Sequence, residues 1–328
     1  MNTSGYPILF IATAIVFLAT LPSCKEKNDE FPPKTWSEYS YADNNIALRD
    51  ISTIYYENDH SLWLGAKGSE GLLHHDGYKW VTYNKANTGI AFDSVTSIIR
   101  DGNGKLWIGF RTGLATFDGN IWSNIEQMTG LRITSVVVEG IGNIRVGIKG
   151  QSGGLATLSQ GIWKFETPAN SGIPSGNINA LVSDNEQVLW AATADIGVIR
   201  LKNTVWENIS SSLPLLSENF SAITKGKDGS IWAASVVSEL IHFHDDTFVL
   251  MNTGTSKPVT SVVVTDDGNV WISTAGAGLV RFNGAEWKSY TMANDASLPS
   301  DDILYLSEET PGFLQFSVPG GRFYTIKP

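Results

Sequence analysis

From residue 35 to its end the chain is a succession of short apolar or alternating runs punctuated by Gly, Asn and Asp. In "SVTSIIRDGNGKLWIGFRTGLATFDGNIWSNI" (94–125) four such runs follow one another: SVTSIIR, KLWIGF, GLATF and IWSNI. The separators DGNG and DGN are hairpin-turn sequences, in which Gly and Asn accept positive φ. Runs this short, rich in β-branched and aromatic residues, read as strands. The pattern therefore predicts an all-β chain built from units of four antiparallel strands, named a to d in chain order.

The unit repeats. "HSLWLGAKGSEGLLHHDGYKW" (60–80), "QVLWAATADIGVIRLKNTVW" (187–206), "GSIWAASVVSELIHFHDDTF" (229–248) and "GNVWISTAGAGLVRFNGAEW" (268–287) carry the same order of aromatic, apolar and turn positions. Strand b holds Trp63, Trp107, Trp190, Trp232 and Trp271, while Arg145 and Gln315 occupy that slot in two degenerate copies. The spacing of about 42 residues is that of one four-stranded propeller blade.

A second aromatic recurs on strand d: Trp80, Trp122, Trp163, Trp206, Phe248 and Trp287. The seventh copy, "GFLQFSVPGGRFYTI" (312–326), has no strand d after it, whereas "TWSEYS" (35–40) matches "KWVTYN" and "EWKSYT" with no blade before it. An orphan strand at one end and a missing one at the other predict a seven-bladed β-propeller whose N-terminal strand completes the last blade. Such closure removes the open sheet edge without a covalent link.

The pattern "VTSI..D..G.LWIG...GL..FDG..W" resembles the two-component regulator propeller repeat, most closely in "DGNGKLWIG" and "DDGNVWIST". The resemblance implies the extracytoplasmic, sensor-type propeller found ahead of kinase domains, here a standalone lipoprotein without the kinase. It implies a binding or interaction module, with carbohydrate one candidate ligand because related propellers accompany glycan uptake. The GH and WD dipeptides and the paired glycines of other propeller repeats do not recur.

Composition narrows the partners. Lys and Arg number 23 against 33 Asp and Glu, a net charge of -10, which disfavours a broad grip on nucleic acid or on an anionic membrane surface. The N-terminus differs from the rest. Ile8 to Leu21 is uncharged and apolar, too short for a transmembrane helix and of signal-peptide character. Leu21, Pro22, Ser23 and Cys24 resemble a bacterial lipobox, so residues 1–23 are expected to be a lipoprotein signal peptide, Cys24 the lipid attachment, and 24–34 a flexible tether before the propeller at 35–328. The expected location is the cell envelope, lipid-anchored at the outer membrane on its periplasmic or surface face. The lipid is then the chain's one membrane contact. The expected state is a monomer, and the single cysteine leaves no disulfide.

Nucleotide motifs fail on context. Gly104 and Lys105 are followed by Leu106 and a strand, where a phosphate loop needs Ser or Thr and a helix. "AGAGLV" (275–280) likewise leads into strand and turn. The histidines, at 60, 74, 75, 242 and 244, place His74 and His242 at the strand-c slot filled elsewhere by Thr116, Thr157, Arg200 and Arg281. That slot reads as solvated and the two clusters lie on non-adjacent blades, so no metal site and no cofactor is expected. The acid pairs Asp245–Asp246 and Asp266–Asp267 fall in hairpin turns. No catalytic set stands out.

Binding is expected where loops vary on a rigid scaffold. In a propeller the b-to-c and d-to-a connections gather at one end of the central channel. The b-to-c loops supply Lys67, Glu70, Phe110, Arg111, Lys149, Gln151, Asp195, Glu239 and Arg322; the starts of strand a supply Arg49, Asp93, Arg132, Asn177 and Asn219. Three functions fit: non-catalytic binding of a ligand or an outer-membrane protein at this end; a lyase or hydrolase similar to the streptogramin lyases, with a histidine base at the channel mouth; or a structural subunit of an outer-membrane complex that docks through its blade sides.

Overall fold

The computed structural model of the chain describes residues 37–39, 50–58, 61–68, 70–90, 93–184, 186, 188–295, 297–308 and 313–326. The signal peptide, Cys24, the tether, Arg49 and His60 lie outside the described residues.

Seven four-stranded antiparallel sheets form the propeller. Their innermost strands are Ile51–Asn58, Val95–Arg100, Arg132–Val138, Ile178–Ser183, Phe220–Lys225, Val259–Val264 and Tyr305–Glu308. In blades 1 to 6 the strands pair in chain order. In blade 7 the order is Tyr305–Glu308, Leu314–Val318, Arg322–Ile326 and then Ser37–Tyr39. The N-terminal strand pairs antiparallel with Arg322–Ile326, Ser37 opposite Thr325 and Tyr39 opposite Phe323. Closure by the opposite terminus is as the orphan strand predicted.

Strand b is the middle layer of each blade, covered on both faces by its neighbours, so its positions are buried in succession rather than alternately. Leu106–Phe110, Leu189–Thr193 and Val270–Thr274 are buried at every position. The glycine of "LWIG" marks where the next blade approaches. A Cβ on Gly109 would lie 2.7 Å from Ile133 Cγ2, and one on Gly65 2.6 Å from Val95 Cγ1. Those contacted residues open or lead strand a of the following blade.

Side chains stitch the blades together around the channel. The second position of strand a donates to the backbone carbonyl at the head of the next inner strand: Ser52 to Val95, Thr96 to Ile133, Thr134 to Ile178, Asn179 to Phe220, Ser221 to Val259 and Thr260 to Ile303, at 2.5 to 3.0 Å. Blade 7 has Leu304 at that position, and Ser317 on strand b supplies the closing bond to Ile51 O at 2.9 Å. A ring of seven blade-to-blade bonds results, each satisfying a backbone carbonyl at the head of an inner strand.

Farther out, three of the five strand-b tryptophans pair with an acid six residues earlier. Trp63 Nε1 donates to Glu57, Trp107 Nε1 to Asp101 and Trp190 Nε1 to Asp184, at 2.7 to 2.9 Å. Asp101 also accepts from the Asn103 and Lys105 amides, which folds the DGNG turn. Arg145 keeps the same partner chemistry where the tryptophan is lost: its Nε donates to Glu139 at 2.9 Å. Aromatic contacts then cross between blades, Trp63 onto Trp122 and Trp107 onto Trp163, both edge-on.

Candidate functional site

The strand-c slot holding His74 and His242 is not solvated as its polar residues suggest. His74 lies directly opposite Trp63 and stacks on it at 4.1 Å; His242 stacks on Trp232 at 3.9 Å. Arg200 and Arg281 cover Trp190 and Trp271 in the same way. The slot is polar because its outer edge meets water while its flat face covers an indole. Burial lowers the pKa of both histidines, against the pull of nearby Asp76 and Asp228 respectively.

The channel mouth is built from the residue at or just past the end of strand b and the residue at or just before the start of strand a, which stand across from each other in blades 1 to 6. Lys67, Arg111, Ala194, Val236 and Ala275 donate their backbone N–H to the carbonyls of Asp50, Ser94, Asn177, Asn219 and Pro258. In blade 3 the corresponding pair is Lys149 and Arg132. The residue at the mouth end of strand b is thus cationic on three consecutive blades and small or apolar on the next three.

A cavity of 580 Å³ opens at this end, lined by Lys67, Arg111, Arg132, Lys149, Asn179 and Asn219 above a floor of Ser52, Thr96, Thr134 and Ser221. It shares that floor with a second cavity of 580 Å³ along the inner strands, so mouth and channel are continuous. Lys149 Nζ donates to Asn179 Oδ1 at 2.7 Å, and Asn179 Nδ2 donates to Asn219 Oδ1 at 3.1 Å and to Phe220 O. Burial, and then the charge of Arg132, hold the Lys149 ammonium below the usual lysine range, with Asp195 pulling the other way.

The structure brings together five of the sequence-derived candidates, Lys67, Arg111, Arg132, Lys149 and Asn219, on this lining. Asn177 and Asp195 sit beside it and hold each other, Asn177 Nδ2 donating to Asp195 Oδ2 at 2.8 Å while Ser175 donates to Oδ1. Glu70, Gln151 and Arg322 belong to the same loops and do not line the cavity. Asp93 precedes Ser94, with one carboxylate oxygen buried and without a hydrogen-bond partner.

Two candidates are corrected. Phe110 is not a loop residue: it pairs with Gly113 across a two-residue turn and is 4% exposed in the core of blade 2, so the loop proper is Arg111 and Thr112. Glu239, 3% exposed, accepts from the Leu216 and Ser217 amides at 2.7 and 3.2 Å, and its carboxylate anchors the preceding connection. Asn179 was missed by sequence reasoning; the signal was an amide at a strand-a position held by Ser or Thr in five of the other six blades. None of the four described histidines lines the mouth, where a lyase reading needs its base.

These elements define a class, the seven-bladed propeller with a polar funnel at the b-to-c end. The family model of the two component regulator propeller matches residues 89–112, which run from the approach to blade 2 through Arg111, so this segment is similar to that repeat. No curated protein matches the chain in sequence. Among solved structures it is similar to the extracellular domain of a hybrid two component system from B. thetaiotaomicron, at 15% identity over 88% of this chain and 39% of that one, TM-score 0.72. It is similar to PorZ, a surface component of the type-IX secretion system of Porphyromonas gingivalis, at 15% identity over 85% of this chain and 46% of that one, TM-score 0.67. It is also similar to a catalytically inactive virginiamycin B lyase from Staphylococcus aureus, at 12% identity over 90% of this chain and 99% of that one, TM-score 0.69. At these identities the likeness is one of fold. The chain spans less than half the length of the first two.

Proposed function

We propose that the protein is an extracytoplasmic, sensor-like propeller that binds a ligand at its channel mouth without catalysis, held at the envelope by a lipid on Cys24. The observation that carries the reading is the mouth itself. Its floor side chains are committed to the blade-to-blade ring, whereas Lys67, Arg111 and Arg132 on its rim have no hydrogen-bond or ion-pair partner for their side chains among the described residues. Side chains free of structural duty, on a rigid frame and around a concave opening, are a binding arrangement. The solved extracellular domain of the hybrid two component system, similar in fold, supports the extracytoplasmic sensor reading. A carbohydrate fits the size and polarity of the opening.

The test is a glycan array with a parallel pull-down from outer membranes, run on the protein and on Arg111→Ala and Arg132→Ala variants. Binding that the variants lose supports the mouth as receptor site. Capture of an outer-membrane partner that both variants retain would replace this reading with the structural-subunit one.

A further inference from the structure

The rim of the mouth is charged on one side. At the mouth end of strand b stand Lys67 on blade 1 and Arg111 on blade 2, each just past the strand, and Lys149, which ends it on blade 3; blade 3 adds Arg132 directly across from Lys149. Among the described residues no aspartate or glutamate lines this cavity, in a chain whose acids outnumber its Lys and Arg by 33 to 23. The register-equivalent residues on the opposite blades are Ala194, Val236 and Ala275. The arc is therefore one-sided, and it sits at a concave, low-dielectric opening that strengthens a field of one sign.

The pair on blade 3 is the telling part. Like charges directly opposite on neighbouring antiparallel strands repel and cost stability. The nearest acid, Asp195, pairs with neither: its carboxylate oxygens accept from Ser175 and Asn177, and its pull on Lys149 only partly offsets the repulsion from Arg132. Lys149 is oriented instead by a neutral amide, Asn179, which accepts from Nζ and leaves the ammonium without an ion-pair partner among the described residues. Arg132 and Arg111 are exposed and present planar guanidinium groups, suited to two-point recognition of an oxyanion.

Resting on the reading of the mouth as a receptor site, we infer that its ligand is a compact polyanion, a small molecule carrying two or more carboxylate, sulfate or phosphate groups that Arg111, Arg132 and Lys149 engage together. The cavity of 580 Å³ holds a ligand of a few sugar rings' size, and its cations sit on two neighbouring blades, Arg111 on blade 2 and the Arg132–Lys149 pair on blade 3, an arrangement for separated anionic groups rather than one. The bound anion removes the repulsion that the empty site carries.

The experiment is isothermal titration of the protein with trigalacturonate, a disulfated disaccharide and inorganic pyrophosphate, one arm for each oxyanion, with the neutral methyl ester of trigalacturonate as the matched uncharged control. The expected result is one-to-one binding of at least one anion, no binding of the neutral ester, and an affinity that falls as salt rises from about 50 to about 200 mM. Arg132→Gln and Lys149→Gln each lower that affinity at least tenfold while melting within a few degrees of the parent. Lys202→Gln, a cation outside this cavity, leaves it unchanged. Absence of binding by all three anions, equal binding of the neutral ester, or anion binding unaffected in the Arg132→Gln/Lys149→Gln double variant overturns the inference. A neutral glycan captured at the mouth and lost in Arg111→Ala overturns this inference alone and leaves the receptor reading standing.

Discussion

Arg132 and Lys149 are Cα partners at the open end of blade 3, two cations face to face on adjacent antiparallel strands with no carboxylate between them. A pair of this kind lowers stability by about 0.2–1 kcal/mol, and the blade tolerates it.

Arg132→Thr therefore stabilises the ligand-free protein by a few tenths of a kcal/mol, up to about 1. The gain is largest at low ionic strength and shrinks as salt screens the pair in the parent. Urea denaturation of parent and variant at two salt concentrations measures it. A variant less stable than the parent at low salt would show that Arg132 is held by attraction.

In blade 3, Arg145 fills the tryptophan slot and pairs with Glu139, whose side chain is 10% exposed. Arg145→Met leaves that carboxylate with only the Ser183 hydroxyl as a side-chain donor, at a cost of about 3 kcal/mol. Arg145→Trp costs less, because an indole N–H serves the equivalent acid in blades 1, 2 and 4. Chemical denaturation of the two variants side by side orders them.

Ring closure between blades 7 and 1 rests on Ser317 and on the strand Ser37–Tyr39. Ser317→Ala removes one buried hydrogen bond and lowers stability by about 1 kcal/mol. Deleting residues 1–40 uncovers the edge of Arg322–Ile326, and the shortened protein associates through it in a concentration-dependent way. Sedimentation at several concentrations reads that association, and the intact protein shows none of it through this edge.

His242, stacked on Trp232 and facing His244, has its pKa lowered chiefly by burial and then by the His244 charge. Its folded pKa lies below the unfolded value, so the unfolded chain binds the proton first as pH falls. Stability is unaffected well above about pH 6.5 and decreases as pH drops through that value toward the folded pKa. His242→Phe keeps the stack without the proton, and its stability falls less between about pH 7.5 and about pH 5. Urea midpoints at the two pH values test the difference, and an equal loss in the variant would place the pH sensitivity elsewhere.

Much of this was legible along the chain because propeller blades are local objects. A hairpin announces itself through alternating side chains and turn residues a few positions apart, and the orphan strand at 35–40 announced the closure. The candidate site was legible in part. Arg111, Arg132 and Lys149 were reachable as loop-end polars, but so were Phe110 and Glu239. A sequence does not show that Phe110 turns into the core or that Glu239 is spent on two backbone amides. The histidines misled for the same reason: a polar slot looks solvated until the indole beneath it is seen.

The amino-acid sequence by itself determined the strand pattern, the number of blades and the terminus that closes them, since each depends on contacts within a hairpin or on the count of repeats. Only the tertiary structure decided which ends of those strands meet. Lys67, Arg111 and Lys149 lie about forty residues apart, each on a different blade. They form one arc because equal register in successive blades, locked by the ring of Ser, Thr and Asn bonds around the channel, brings the same strand end of every blade to the same rim.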